Sequence, residues 1–128
     1  MSKLLLSVLL LLGCSGLQAQ QTTDAASWNG VWQADGTMFQ IRVTVIDNVI
    51  TVSQVESLGF VWTSQSGEVT GNIARVPIEY AGVNGVIQAE LTGEDTAIAF
   101  AASCLPDFMV VCALAKGRQA VFTRIGTN

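Results

Sequence analysis

The chain of 128 residues contains no histidine. That absence removes Ser-His and Cys-His nucleophilic pairs and takes away the usual nitrogen ligand of zinc. Positive charge is also scarce, with six Lys and Arg against ten Asp and Glu and a formal net charge of −4. No basic patch forms, which argues against nucleic acid as a partner. Acidity likewise leaves any membrane attachment to hydrophobic or covalent means. No glycine-rich phosphate loop occurs, and no Asn-x-Ser/Thr sequon is present. The expectation is therefore a protein with no catalytic residue, no metal ligand and no cofactor. Paired carboxylates are the one route left to an enzyme.

Long apolar runs are absent except at the start. Met1 to Leu12 has one early cation, Lys3, followed by an apolar run broken at Ser7. That run is a secretory leader in form and falls short of the roughly 20 apolar residues needed to span a bilayer. Without Lys3, five cations remain (Arg42, Arg75, Lys116, Arg118, Arg124) against all ten carboxylates.

Export implies an oxidising compartment, where cysteines pair. The chain has three, Cys14, Cys104 and Cys112. A Cys104–Cys112 disulfide accounts for the mature domain whether Cys14 is modified or removed with the leader. Two cleavage sites compete. Leu11-Leu12-Gly13-Cys14 resembles the bacterial lipobox, and cutting there leaves Cys14 to carry lipid, including palmitate. Cutting after Ala19 instead releases a soluble secreted or periplasmic protein, but puts Leu17 where export peptidases prefer a small residue. The first site is preferred. It divides the chain into a signal peptide (1–13), a polar tether (14–27) and a β domain (28–125). By resemblance to enterobacterial sorting, Ser15 after the acceptor directs the lipoprotein to the outer membrane, facing the periplasm.

From Trp28 on, apolar residues recur with period two, the mark of strands with one buried face. Phe39, Ile41, Val43 and Val45 share a face; so do Ile87, Ala89 and Leu91, and Ile98, Phe100 and Ala102. Turn signals at short intervals delimit strands at 29–34, 37–46, 49–56, 60–63, 68–76, 78–83, 86–92, 96–103 and 119–125. No long helix is expected. The fold class is all-β, a single antiparallel barrel or sandwich of about eight short strands.

Two hairpins suggest chemistry. An Asn84-Gly85 turn would set Glu79 opposite Glu90, either as a shared-proton or cation-binding pair or on the wet face. The Asp47-Asn48 turn pairs Val45 with Ile50 and Val43 with Val52, and would bring Gln54 and Glu56 onto the inner face at a cavity mouth. A bulge near Ser53 would turn both outward. Phe60 and Trp62 join Gln54 and Glu56 as ligand-binding candidates, while Trp28, Trp32 and Phe100 read as core. In "CLPDFMVVC", Phe108 and Met109 either fold inward or present a contact surface to a partner.

Gly30-Val31-Trp32 at the head of the first strand resembles the G-x-W signature of the lipocalin-like (calycin) barrels, whose later T-D-x signature is absent. The resemblance implies a meander barrel in which Trp32, beside Gly30, plugs one end and Arg124 packs over it. It also implies a small hydrophobic ligand, or protein binding as in the shorter periplasmic inhibitors of this class. The sequence thus points to an envelope lipoprotein with a non-catalytic β-barrel that binds a small apolar ligand. The alternative is a module that binds an envelope protein, as a hydrolase inhibitor or assembly factor. Cys14→Ser is expected to move the protein from the membrane to the soluble fraction and to remove the acyl mass. A Ser variant that stays with membranes at the original processed mass would overturn the anchor.

Overall fold

In the computed structural model, residues 24–56 and 61–128 are described; the leader, Cys14 and Phe60 lie outside the described residues. Tight turns set the order of the strands. Asp47 (φ 51°) and Asn48 (φ 63°) both take the left-handed region, as a type I′ hairpin requires. They join β2 (Gln40–Ile46) to β3 (Val49–Gln54). The resulting register pairs Val45 with Ile50, Val43 with Val52 and Ile41 with Gln54.

The next hairpins depart from the sequence reading. The stretch expected as one strand over 68–76 turns at Gly71-Asn72, joining β5 (Gly67–Thr70) to β6 (Ile73–Tyr80). β6 then runs through Pro77, where a break was expected. The Pro77 carbonyl accepts from the Gln65 N–H (3.0 Å), just where the ladder along that edge is interrupted, so the missing proline donor leaves no gap. The following turn is Ala81-Gly82, with φ of 50° and 79°, and not Asn84-Gly85. Glu79 consequently pairs with Asn84, and Glu90 with Ile73 at the far end of the hairpin. The carboxylate pair does not form. Gly85 instead lies within β7 (Val83–Leu91), opposite Cys104 of β8 (Thr96–Leu105). A Cβ there would stand 2.7 Å from the Ser103 carbonyl oxygen, so this glycine serves a close strand approach beside a bulge at Val86/Ile87.

Eight strands close into an antiparallel barrel in sequential order: β1 (Gly30–Ala34), β2, β3, β5, β6, β7, β8 and β9 (Ala120–Gly126), with β9 returning to β1. Closure excludes the sandwich alternative. An additional strand, β4 (Trp62–Ser64), pairs with the second half of β6 while β5 pairs with the first half. The seam between β3 and this broken strand is thin. Its ladder comprises Val49–Glu68 and Ile50–Gly67, supplemented by the Ser64 hydroxyl donating to the Val52 carbonyl (2.6 Å).

The two ends of the barrel differ. At one, a 3₁₀ turn over Ala25–Trp28 lies across the opening. Trp32 is 2% exposed, its indole Nε1–H donates to the Trp28 carbonyl (2.9 Å), and the two rings are 6.4 Å apart. The Arg124 guanidinium stacks 4.7 Å from the Trp32 ring centroid. It donates to the carbonyls of Asn29, of Ser27 (2.5 Å) and of Glu94 (2.7 Å), and to the Asp95 carboxylate (3.0 Å). A Cβ on Gly30 would come within 2.7 Å of the Gly126 carbonyl and 3.1 Å of Arg124 Cδ, so glycine leaves the space this arginine occupies. The other end carries the longer connections: 35–39, 55–61 and the segment between β8 and β9. There the Cys104–Cys112 disulfide forms, Met109 N–H closes a turn onto the Pro106 carbonyl (3.1 Å), and a six-residue helix, α1 (Val110–Ala115), follows. The crosslink to β8 holds in place a helix whose β-branched start would not sustain one alone.

Arg124 ties the amino-terminal turn, β9 and the 92–95 connection together. Arg124→Leu leaves three carbonyls and a carboxylate unpaired and is expected to cost about 2–4 kcal/mol, read as a lower urea midpoint at unchanged slope. A cost below about 0.5 kcal/mol would show that the closed end does not depend on it.

Candidate functional site

Strand alternation gives each strand one inward face, and side-chain size then decides what occupies the interior. Bulky residues line one side: Trp32 on β1, Ile41 and Val43 on β2, Ile50 and Val52 on β3. On the other side Ala74, Ala89, Ala99 and Ala120 are successive direct partners across β6, β7, β8 and β9. Ala97 and Ala101 extend this band along β8. Methyl groups cannot reach across an eight-stranded barrel, so the interior stays open. The cavity measures about 690 Å³, within the roughly 300–1,000 Å³ of small-molecule sites.

The inner face of β8 corrects the sequence reading, which placed Ile98, Phe100 and Ala102 in the core. Ala97 is buried at 3%, whereas Ile98 and Phe100 are half-buried and pair with the outward Glu90 and Gln88, with Phe100 still bordering the cavity; Gln88 is placed by its bond to exposed Arg75 (3.1 Å). A run of alternating alanine and larger apolar residues reads equally well in either phase, and the shorter side chains took the inside.

The cavity reaches the surface at the end with the long connections, where Arg118, Gln119 and Ala120 line it and are exposed. Aromatic rings narrow this mouth: Phe39 lies 6.1 Å from Trp62 and 6.4 Å from Phe122. Of the sequence candidates, Trp62 lines the cavity. Gln54 shares the inward face of β3 with Ile50 and Val52, with its amide Nε2 buried and without a partner; the Trp62 Nε1 is in the same condition. Glu56 does not join them. It lies beyond the end of β3 and is exposed, because the ladder stops at Gln54 and the Phe39–Glu56 pair is never made. Phe60 lies outside the described residues.

Phe108 is 79% exposed, and Met109 is half-buried at the start of α1. Around the same mouth stand further exposed apolar side chains, Met38, Val61, Leu105, Val110 and Leu114, contributed by three separate connections. Tyr80, Arg118, Gln119 and the alanine band were not singled out from the sequence. No local pattern marks them; the alanines become neighbours only through the registers of the β6–β7, β7–β8 and β8–β9 ladders. Among the described residues, no Asp or Glu lines the cavity, and no group of three or more His, Cys, Asp or Glu is placed to hold a metal ion. Compared with protein-family models, curated proteins and solved structures, the chain matches none of them.

Proposed function

We propose that this domain binds a small apolar ligand inside the barrel and performs no chemistry on it. One observation carries the reading: a cavity of about 690 Å³ lined almost wholly by apolar side chains and open at one end. An interior left unfilled forfeits dispersion contacts and burial that larger residues would supply, and a ligand recovers them. The closed end supports the comparison with lipocalin-like barrels, since Gly30, Trp32 and Arg124 meet there. In this proposal Cys14 carries lipid and holds the domain in the bacterial envelope, at the outer membrane. The chain enters the barrel at its closed end, opposite the mouth.

Ala99 sits in the middle of the alanine band, paired to Ala89 on one side and Ala120 on the other. Ala99→Leu projects a larger side chain into open space, so the fold should tolerate it. The neutral fluorophore N-phenyl-1-naphthylamine is expected to bind the native protein and to lose at least about tenfold in affinity in the variant, at an unchanged melting temperature. Equal binding by both proteins would place the probe outside the barrel and overturn this reading.

A second reading, docking of an envelope protein on the rim, is favoured by the exposure of Phe108 on a disulfide-clipped loop. Phe108→Asp is expected to change stability by less than about 0.5 kcal/mol while lowering the yield of crosslinked envelope partner. A variant that unfolds would identify Phe108 as structural and remove this reading.

A further inference from the structure

The proposed ligand site has a chemical polarity. Arg118 is the one charged residue among the described residues that line the cavity. Among the described residues the single salt bridge joins Arg124 to Asp95, so Arg118 has no ion-pair partner. Its position is built. The Lys116 N–H returns to the Cys112 carbonyl (3.1 Å) and the Arg118 N–H to the Ala115 carbonyl (3.1 Å). Gly117 turns the chain at φ 72°, and the Cys104–Cys112 disulfide fastens the helix before it to β8. Arg118 is thereby set on the rim, directly before the strand that carries Ala120. At this end the two buried polar atoms without a partner, Gln54 Nε2 and Trp62 Nε1, are both donors. The cavity lining at the mouth therefore offers one cation and two unpartnered donors, and among the described residues no carboxylate.

Building on the ligand-binding reading, we propose that the ligand is an amphiphile with one apolar chain and a carboxylate, the chain seated along the alanine band and the carboxylate beside Arg118. A carboxylate deeper in the barrel would be desolvated without a cation, at a cost its chain could not offset. A cationic head would meet Arg118 as a like charge. One guanidinium matches one negative charge and offers a planar fork to a carboxylate, whereas a phosphomonoester carries about −1.5 to −2 and would stay partly uncompensated.

Displacement of N-phenyl-1-naphthylamine from the purified protein tests this, with dodecanoate, dodecan-1-ol and dodecyltrimethylammonium as competitors at mildly alkaline pH. Dodecanoate is expected to bind about tenfold tighter than the alcohol, the size of one charge-assisted hydrogen bond, with the ammonium weakest. Arg118→Gln should abolish the acid's advantage over the alcohol, and high salt should narrow the gap in the native protein because Arg118 is exposed. Equal binding of acid and alcohol by the native protein, or an acid preference that survives in Arg118→Gln, would overturn the proposal while leaving the apolar cavity standing. Failure of the fluorophore and all three competitors to bind would instead overturn the ligand-binding reading beneath it.

Discussion

When eight strands close on themselves, their inward side chains face one another across an interior of fixed width, just wide enough to be filled by side chains or to hold one small molecule. Everything distinctive here follows from how that width is met. The β1–β3 side projects Trp, Ile and Val, while the β6–β9 side answers with alanines at directly paired positions. The barrel is thus stabilised by its closed hydrogen-bond ring and by packing at one end, and its middle is left open.

That division explains why the ends are so unlike. Packing concentrates where Trp28, Trp32 and Arg124 meet, and Arg124 is bonded to carbonyls from two segments and to Asp95. A guanidinium suits this place because its planar fork serves several acceptors while its face lies on an indole. The opposite end gives up packing for access. Its connections are longer, two of the three buried donors without a partner among the described residues lie there, the third being Trp28 Nε1 at the closed end, and apolar side chains stand exposed around the opening. Such features destabilise a free domain, and a ligand or a docked partner would relieve them.

The disulfide belongs to this second end. It closes a short loop, and its structural effect is positional: it pins α1 to β8. The turn after that helix then delivers Arg118 to the rim and Ala120 to the band. One crosslink in the β8–β9 connection therefore shapes both the charge of the mouth and the wall behind it.

Much of the barrel was legible residue by residue. Period two, the Asp47-Asn48 turn and its register, the pairing of Cys104 with Cys112 and the all-β class are local properties, encoded within a few positions of the chain. Asn84-Gly85 misled because a good turn pair also suits a crowded strand position; only the approach of Ser103 reveals why glycine is there. Pro77 misled because its missing donor matters only if the neighbouring ladder needs it, and that neighbour is interrupted at the same point. β8 could be read in either phase, since alanine alternates with Ile98 and Phe100 in it. The sequence by itself determined that strands would form and where most of them turn, because backbone dihedrals and alternation are decided by near neighbours. The tertiary structure alone decided that four alanines from four strands would stand in one row, and that Arg118 would stand at the mouth they open. Both depend on how separate strands come into register, and no stretch of chain contains that.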